Sequence, residues 1–132
     1  MKKRIRRGVY ETNSSSCHSL TMCMESDYER WQKDNLYLFM GSGYRYPENN
    51  RPEGGHFYTR EEAIAFEKTN KYVNKNTDWD NAEVVDKLFY DDKFCDYDHF
   101  WDEYGRNYET FEETMITPNG EKVVSFGYYG YN

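Results

Sequence analysis

The chain has 132 residues, a length suited to one domain, with 24 acidic residues against 17 basic ones and a formal net charge of −7. Leu, Ile, Val and Phe together supply only 21 residues, a share low enough to suggest disorder, but 25 aromatic residues, 14 of them Tyr, can build an aromatic core instead. Three cysteines are too few and too odd in number for a disulfide framework, and no apolar stretch approaches a membrane span, so the composition argues against a secreted scaffold or an integral membrane protein and for a cytoplasmic one.

The first residues are basic. Lys2, Lys3, Arg4, Arg6 and Arg7 stand together, and without them the remaining chain carries a formal charge of −12. This run reads as a solvated strand edge in preference to a nucleic-acid arm. Arg4 to Glu11 and His18 to Met24 are expected as strands, joined by a turn over Thr12 to Ser19, whose hydroxyls, amide and imidazole exceed what a buried strand can satisfy. In the second strand His18, Leu20, Met22 and Met24 alternate with Ser19, Thr21 and Cys23, the period of a half-buried strand.

The string Gly8-Val-Tyr-Glu-Thr-Asn-Ser-Ser-Ser-Cys-His-Ser19 resembles the opening of small phage and prophage proteins that carry G-V-[FY]-E-T-N-S-S-S-x-H-S after a basic stretch. The resemblance implies a phage-type origin and no particular activity.

Further along, Ser26 with Glu29 is placed to cap a short helix that carries Tyr28 and Trp31 inward, and Leu36 to Met40 reads as a buried strand. Gly41 to Gly55 is a long Gly, Asn and Pro loop, of a length that is more often functional or mobile than incidental. After a short strand at His56 to Tyr58, Thr59 and Glu62 form a capping box for a helix through Phe66. Beyond a polar linker at Lys68 to Thr77, Asp80 to Tyr90 is expected as a helix with Val84, Val85, Leu88 and Phe89 on one face and acids on the other. A helix over Asp96 to Tyr104 should end at Gly105. Thr110 to Thr117 and Glu121 to Tyr129 form a hairpin around Pro118-Asn119-Gly120, with positive φ at the Asn-Gly pair. The fold class is therefore α+β over a single domain, residues 1–132: an antiparallel sheet from N- and C-terminal hairpins with three or four short helices on one face.

Three chemistries suit the Ser-rich segment. A nucleophile among Ser14, Ser15, Ser16 and Cys17 activated by His18 is geometrically poor, because strand neighbours face opposite ways; His56 or His99 would have to complete the set. Asn13, Ser14, Ser15, Ser16 and His18, close to Arg6 and Arg7, could instead cradle a phosphate or nucleotide in an anion-binding nest, without the Lys and glycine spacing of a P-loop. The preferred reading is structural, with these side chains satisfying their own backbone in Asx and Ser/Thr turns. Cys95 and His99 make at most half of a zinc site, and Asp98 with Asp102 or Glu112 with Glu113 read as solvated faces rather than magnesium ligands; neither metal nor cofactor is expected. Tyr128-Tyr129-Gly130-Tyr131 reads as a protein-facing aromatic edge, since base stacking usually comes with a basic groove.

Charge decides the functional expectation. Asp78 to Glu113 contains 13 acids and only Lys87, Lys93 and Arg106 as bases, which makes direct nucleic-acid binding by that surface unfavourable. The expectation is a non-enzymatic accessory protein that docks an acidic, Tyr-rich surface onto a host protein with a basic patch, such as a nucleic-acid-handling or defence enzyme. Trp79, Tyr97, Asp98, Trp101, Asp102 and Tyr104 are the contact residues expected, and exposed tyrosines also allow a homodimer. The alternative is a small-ligand protein or enzyme that holds an anionic group at the Asn13 to Ser19 turn.

Overall fold

The computed structural model describes residues 16–106 and 108–131. It has six strands and four helices in an α+β arrangement: β1 (Ser16–Met24), α1 (Glu25–Gln32), β2 (Tyr37–Phe39), β3 (Phe57–Tyr58), α2 (Arg60–Glu67), α3 (Ala82–Asp92), β4 (Phe94–Cys95), α4 (Tyr97–Gly105), β5 (Glu109–Ile116) and β6 (Lys122–Tyr131). The strands form two antiparallel sheets of three, ordered β1-β6-β5 and β3-β2-β4. The chain divides into two compact units, residues 30–99 and the two flanking stretches 1–29 with 100–132, and the divisions fall inside α1 and α4.

In the flanking unit β6 is the central strand. Its hairpin with β5 closes through a three-residue loop: Gly120 N–H donates to Thr117 O (2.9 Å), Thr117 N–H donates to Glu121 O (2.8 Å), and Gly120 has φ 83°. Gly120 is thus in the left-handed conformation and Asn119 is not, so the connection is a turn with Pro118 at its first corner followed by one left-handed glycine, instead of an Asn-Gly turn with both residues at positive φ. β1 lies on the other side of β6, from Ser16↔Tyr131 to Met24↔Val123. Ser16 to Ser19 are therefore strand and not turn, because the ladder to β6 takes up their backbone groups. The strand expected at Arg4 to Glu11 lies outside the described residues.

One face of this sheet carries Phe126 and Val124, both buried, and against it pack Tyr28, Phe100, Trp101 and Tyr104. Tyr104 stacks on Tyr128 with ring centres 4.5 Å apart and planes 2° from parallel, and Phe100 meets Phe126 edge-on at 5.6 Å. Thr21 is buried on the same face as Phe126, its direct cross-strand neighbour. Leu20, Met22 and Met24 point to the opposite face and are 49%, 57% and 38% exposed. The rings already fill the volume beneath the sheet, so only small side chains such as Ser19 and Thr21 fit there on β1.

In the unit of residues 30–99 the core is Phe39, Tyr46, Ala63, Val85, Phe89 and Phe94. The capping box is as read from the sequence: Glu62 N–H donates to Thr59 Oγ1 (3.1 Å) and Thr59 N–H donates to Glu62 Oε1 (2.8 Å). On α3, Val85 and Phe89 are buried, while Val84 is 36% exposed and sits at the rim instead of sharing their buried face. Lys93 takes the left-handed cap position of α3, with φ 67°. Two boundary expectations shift. Glu25, not a capping Ser26, begins α1, which continues directly from β1, and Gly105 is the last helical residue of α4 without positive φ. Within the long loop, Tyr46 is 2% exposed and anchors the segment, and Gly41 passes so close to α3 that a Cβ there would stand 2.3 Å from Asp92 O.

Candidate functional site

Two clusters in the unit of residues 30–99 hold chemistry. The first is internal. Glu67 ends α2 and is wholly buried; its Oε1 accepts from Tyr46 Oη (2.5 Å) and from Asn70 Nδ2 (3.3 Å), which also donates to Asp92 Oδ2 (3.1 Å) at the end of α3. Arg45 Nη1 lies 3.6 Å from Asp92 Oδ1. Glu67 Oε2 is buried without a hydrogen-bond partner. Burial, and then the Asp92 carboxyl beside it, raise the Glu67 carboxyl far above the usual carboxylate range, so it is neutral where most carboxylates are charged. Burial and the contact with Glu67 likewise hold the Tyr46 hydroxyl protonated. A carboxyl at this level has the protonation of a general acid, but Glu67 has no surface for a substrate to reach. The cluster ties the C-terminal ends of α2 and α3 together. A surface depression of about 200 Å³ lined by Asn50, Tyr58, Glu62, Ala65 and Phe66 does not include it and is smaller than usual ligand pockets.

The second cluster faces solvent. Asp34 sits in a left-handed turn with φ 63°, and its carboxyl is raised by partial burial and then by the charges of Asp96 and Asp98. Asp96 Oδ1 caps α4 by accepting from His99 N–H (2.7 Å). The His99 ring stacks on Tyr90, which is 57% exposed, at 4.1 Å and 15°. The charges of Asp96 and Asp98 thus act on Asp34, and Asp96 caps the helix whose His99 stacks on an exposed tyrosine. Asp86 and Asp91 on α3 are also exposed and pair with Arg60 (2.8 Å) and Lys87 (3.2 Å).

The expected contact residues do not form one patch of either unit. Trp79, Tyr97 and Asp98 belong to residues 30–99, whereas Trp101, Asp102 and Tyr104 belong to the other unit. Asp98 is exposed within the acidic cluster; Tyr97 packs edge-on against Trp31 at 5.0 Å, and Trp79 leans on the core with Lys68 Nζ 5.7 Å above its ring. Trp101 and Tyr104 pack on Phe126 and Tyr128, and Asp102 is exposed and pairs with Arg106 at 2.9 Å. Tyr90 and Asp34 escaped the sequence reading, and His99 entered it only as a zinc or nucleophile partner, although Tyr90 falls one residue past Phe89 and so off the apolar stripe of α3. Glu67 and Asp92 left a signal as well: each lies at a helical repeat from a core residue, four after Ala63 and three after Phe89.

Asn13, Ser14 and Ser15 lie outside the described residues, and Ser16 and His18 stand on β1 opposite Tyr131 and Tyr129. Cys95 is in β4, fully buried, with its Sγ 3.7 Å from Lys93 O, so it does not share a helix face with His99. Burial and the charge of Asp27 push the Cys23 thiol up to about 12, which leaves it unreactive. Among the described residues no group of three or more His, Cys, Asp or Glu could hold a metal ion, and no helix is long and apolar enough to cross a membrane. No protein family, curated protein or solved structure matches the chain.

Proposed function

We propose that this is a non-enzymatic, phage-type accessory protein that binds a basic surface on a host protein, and that the basic surface is the nucleic-acid site of a nucleic-acid-handling or defence enzyme. The observation that carries this reading is the acidic set Asp34, Asp96 and Asp98, whose charges act on one another at the helix where His99 stacks on the exposed Tyr90. The charges of Asp96 and Asp98 act against that of Asp34, and a cationic partner relieves such repulsion. The carboxylates imitate phosphates, and Tyr90 supplies an amphipathic anchor of the kind enriched at binding hot spots. The Gly8 to Ser19 string supports the phage-type origin.

The test is retention of host proteins on the immobilised chain, followed by affinity measurements on the retained protein at low and high salt. Affinity should fall steeply with salt, and Asp34→Lys with Asp98→Lys should weaken it at least tenfold. The retained enzyme should also lose nucleic-acid binding in competition with this chain. Salt-independent affinity, or full binding by the charge-reversed variant, overturns the reading.

A further inference from the structure

We propose that the sheet face bearing Leu20, Met22, Met24 and Met115 docks a basic amphipathic segment of a partner protein. The reading stands independently of the Tyr90 surface, which belongs to the other unit. Direct cross-strand neighbours project to one face. The pairings place Met24, Val123 and Met115 in one row across β1, β6 and β5, and Met22, Ser125 and Glu113 in the next. Leu20 follows opposite Gly127, whose partner on β5 is the fully buried Phe111, with its ring against the Gly127 position, so the solvated strip is bounded there. Met115 is 51% exposed, comparable to Leu20 and Met22, so four large apolar side chains reach solvent on this face, beside the buried Ser125 and Phe111. A contiguous patch of this kind marks an interaction surface.

Charge selects the occupant. The exposed ionisable side chains on the same face of β5 are Glu113 and Glu109, and Glu109 Oε2 accepts from Tyr129 Oη at 2.6 Å. The pairing puts Lys122, the cation of β6, on the opposite side with Ile116. An apolar strip bordered by carboxylates fits a segment that alternates apolar and basic residues. A second copy would set carboxylates against carboxylates in a chain of net charge −7, and an anionic membrane would be repelled in the same way. Methionine suits the task, because its unbranched thioether repacks against differently shaped apolar side chains.

The methionines allow a direct test. With methyl-¹³C methionine in the full chain, an amphipathic peptide of leucine and lysine should shift the Met22, Met24 and Met115 signals and leave Met40, in the other unit, unmoved. The same peptide with glutamate for lysine should shift none. Met22→Ser combined with Met115→Ser should weaken peptide binding about tenfold or more, and Glu113→Lys should weaken it further, while circular dichroism confirms that each variant is folded. Asp34→Lys with Asp98→Lys should leave this peptide's affinity unchanged. No binding, equal binding of the glutamate peptide, or binding lost only on reversing Asp34 and Asp98 overturns the proposal. A concentration-dependent dimer dispersed by Met22→Ser also overturns it, in favour of a second copy.

Discussion

The two units break the rule of apolar inside and polar outside in opposite directions. Residues 30–99 enclose Glu67 and Asp92 within an aromatic core, whereas the sheet of β1, β6 and β5 buries Thr21 and turns Leu20, Met22 and Met115 to solvent. In each case rings set the terms. Tyr46 brings a hydroxyl into the core of residues 30–99, and that hydroxyl needs an acceptor, which Glu67 supplies. Phe100, Trp101 and Tyr104 fill the space under the other sheet, and they leave β1 room for small side chains only. A tyrosine-rich core therefore imports polar partners and exports bulky aliphatic ones.

The sharpest break comes from removing a ring. Phe126→Ala should cost about 3–5 kcal/mol in denaturant unfolding, because Phe126 is fully buried and touches Tyr28, Phe100 and Trp101. Next come the two inversions themselves. The Glu67 carboxyl is raised in the fold from 4.5 to about 8, so the unfolded chain releases its proton first. Its contribution to stability is full below the unfolded value, declines as pH rises, and is lost on passing about 8. Glu67→Gln keeps a hydrogen-bonding amide and cannot ionise; it should flatten this pH profile and be the more stable form above about pH 8, by about 1–3 kcal/mol in parallel urea titrations. A wild-type profile with no such decline would break the comparison on this side.

On the other side, Thr21→Leu should destabilise by about 1–3 kcal/mol through overpacking beneath the rings. Met22→Ser, one residue along, should change stability by less than about 0.5 kcal/mol. If Met22→Ser proves the costlier of the two by thermal unfolding, Met22 is covered and the inversion is wrong. Between these effects lies Thr59→Ala, which removes one half of the capping box and should cost about 1 kcal/mol without altering the pH profile.

Local chemistry was the legible part of the sequence. Thr59 and Glu62 announced the start of α2, Pro118 and Gly120 announced the hairpin loop, and the apolar spacing on α3 picked out Val85 and Phe89. Each signal is settled within a few residues by hydrogen bonds or periodicity that the chain carries with it. Tyr28 and Trp31 were likewise readable as inward-facing residues of one short helix. The same local logic stops short at β1, since alternation identifies a strand and its two faces but not which face meets the core.

The candidate sites fell largely on the illegible side. Asp34, Asp96 and Asp98 are separated by up to the length of an entire unit, and only the turn at Asp34 and the start of α4 bring their charges together. Glu67 and Asp92 close on one another from two different helices. The sequence by itself determined that this chain is α+β, acidic and built on aromatic rings, because composition, caps and periodicity are properties of neighbours along the chain. Only the tertiary structure decided which face of β1 is buried, which carboxyl is buried and neutral and which tyrosines reach solvent, because those outcomes depend on the volume left when residues distant in sequence pack together.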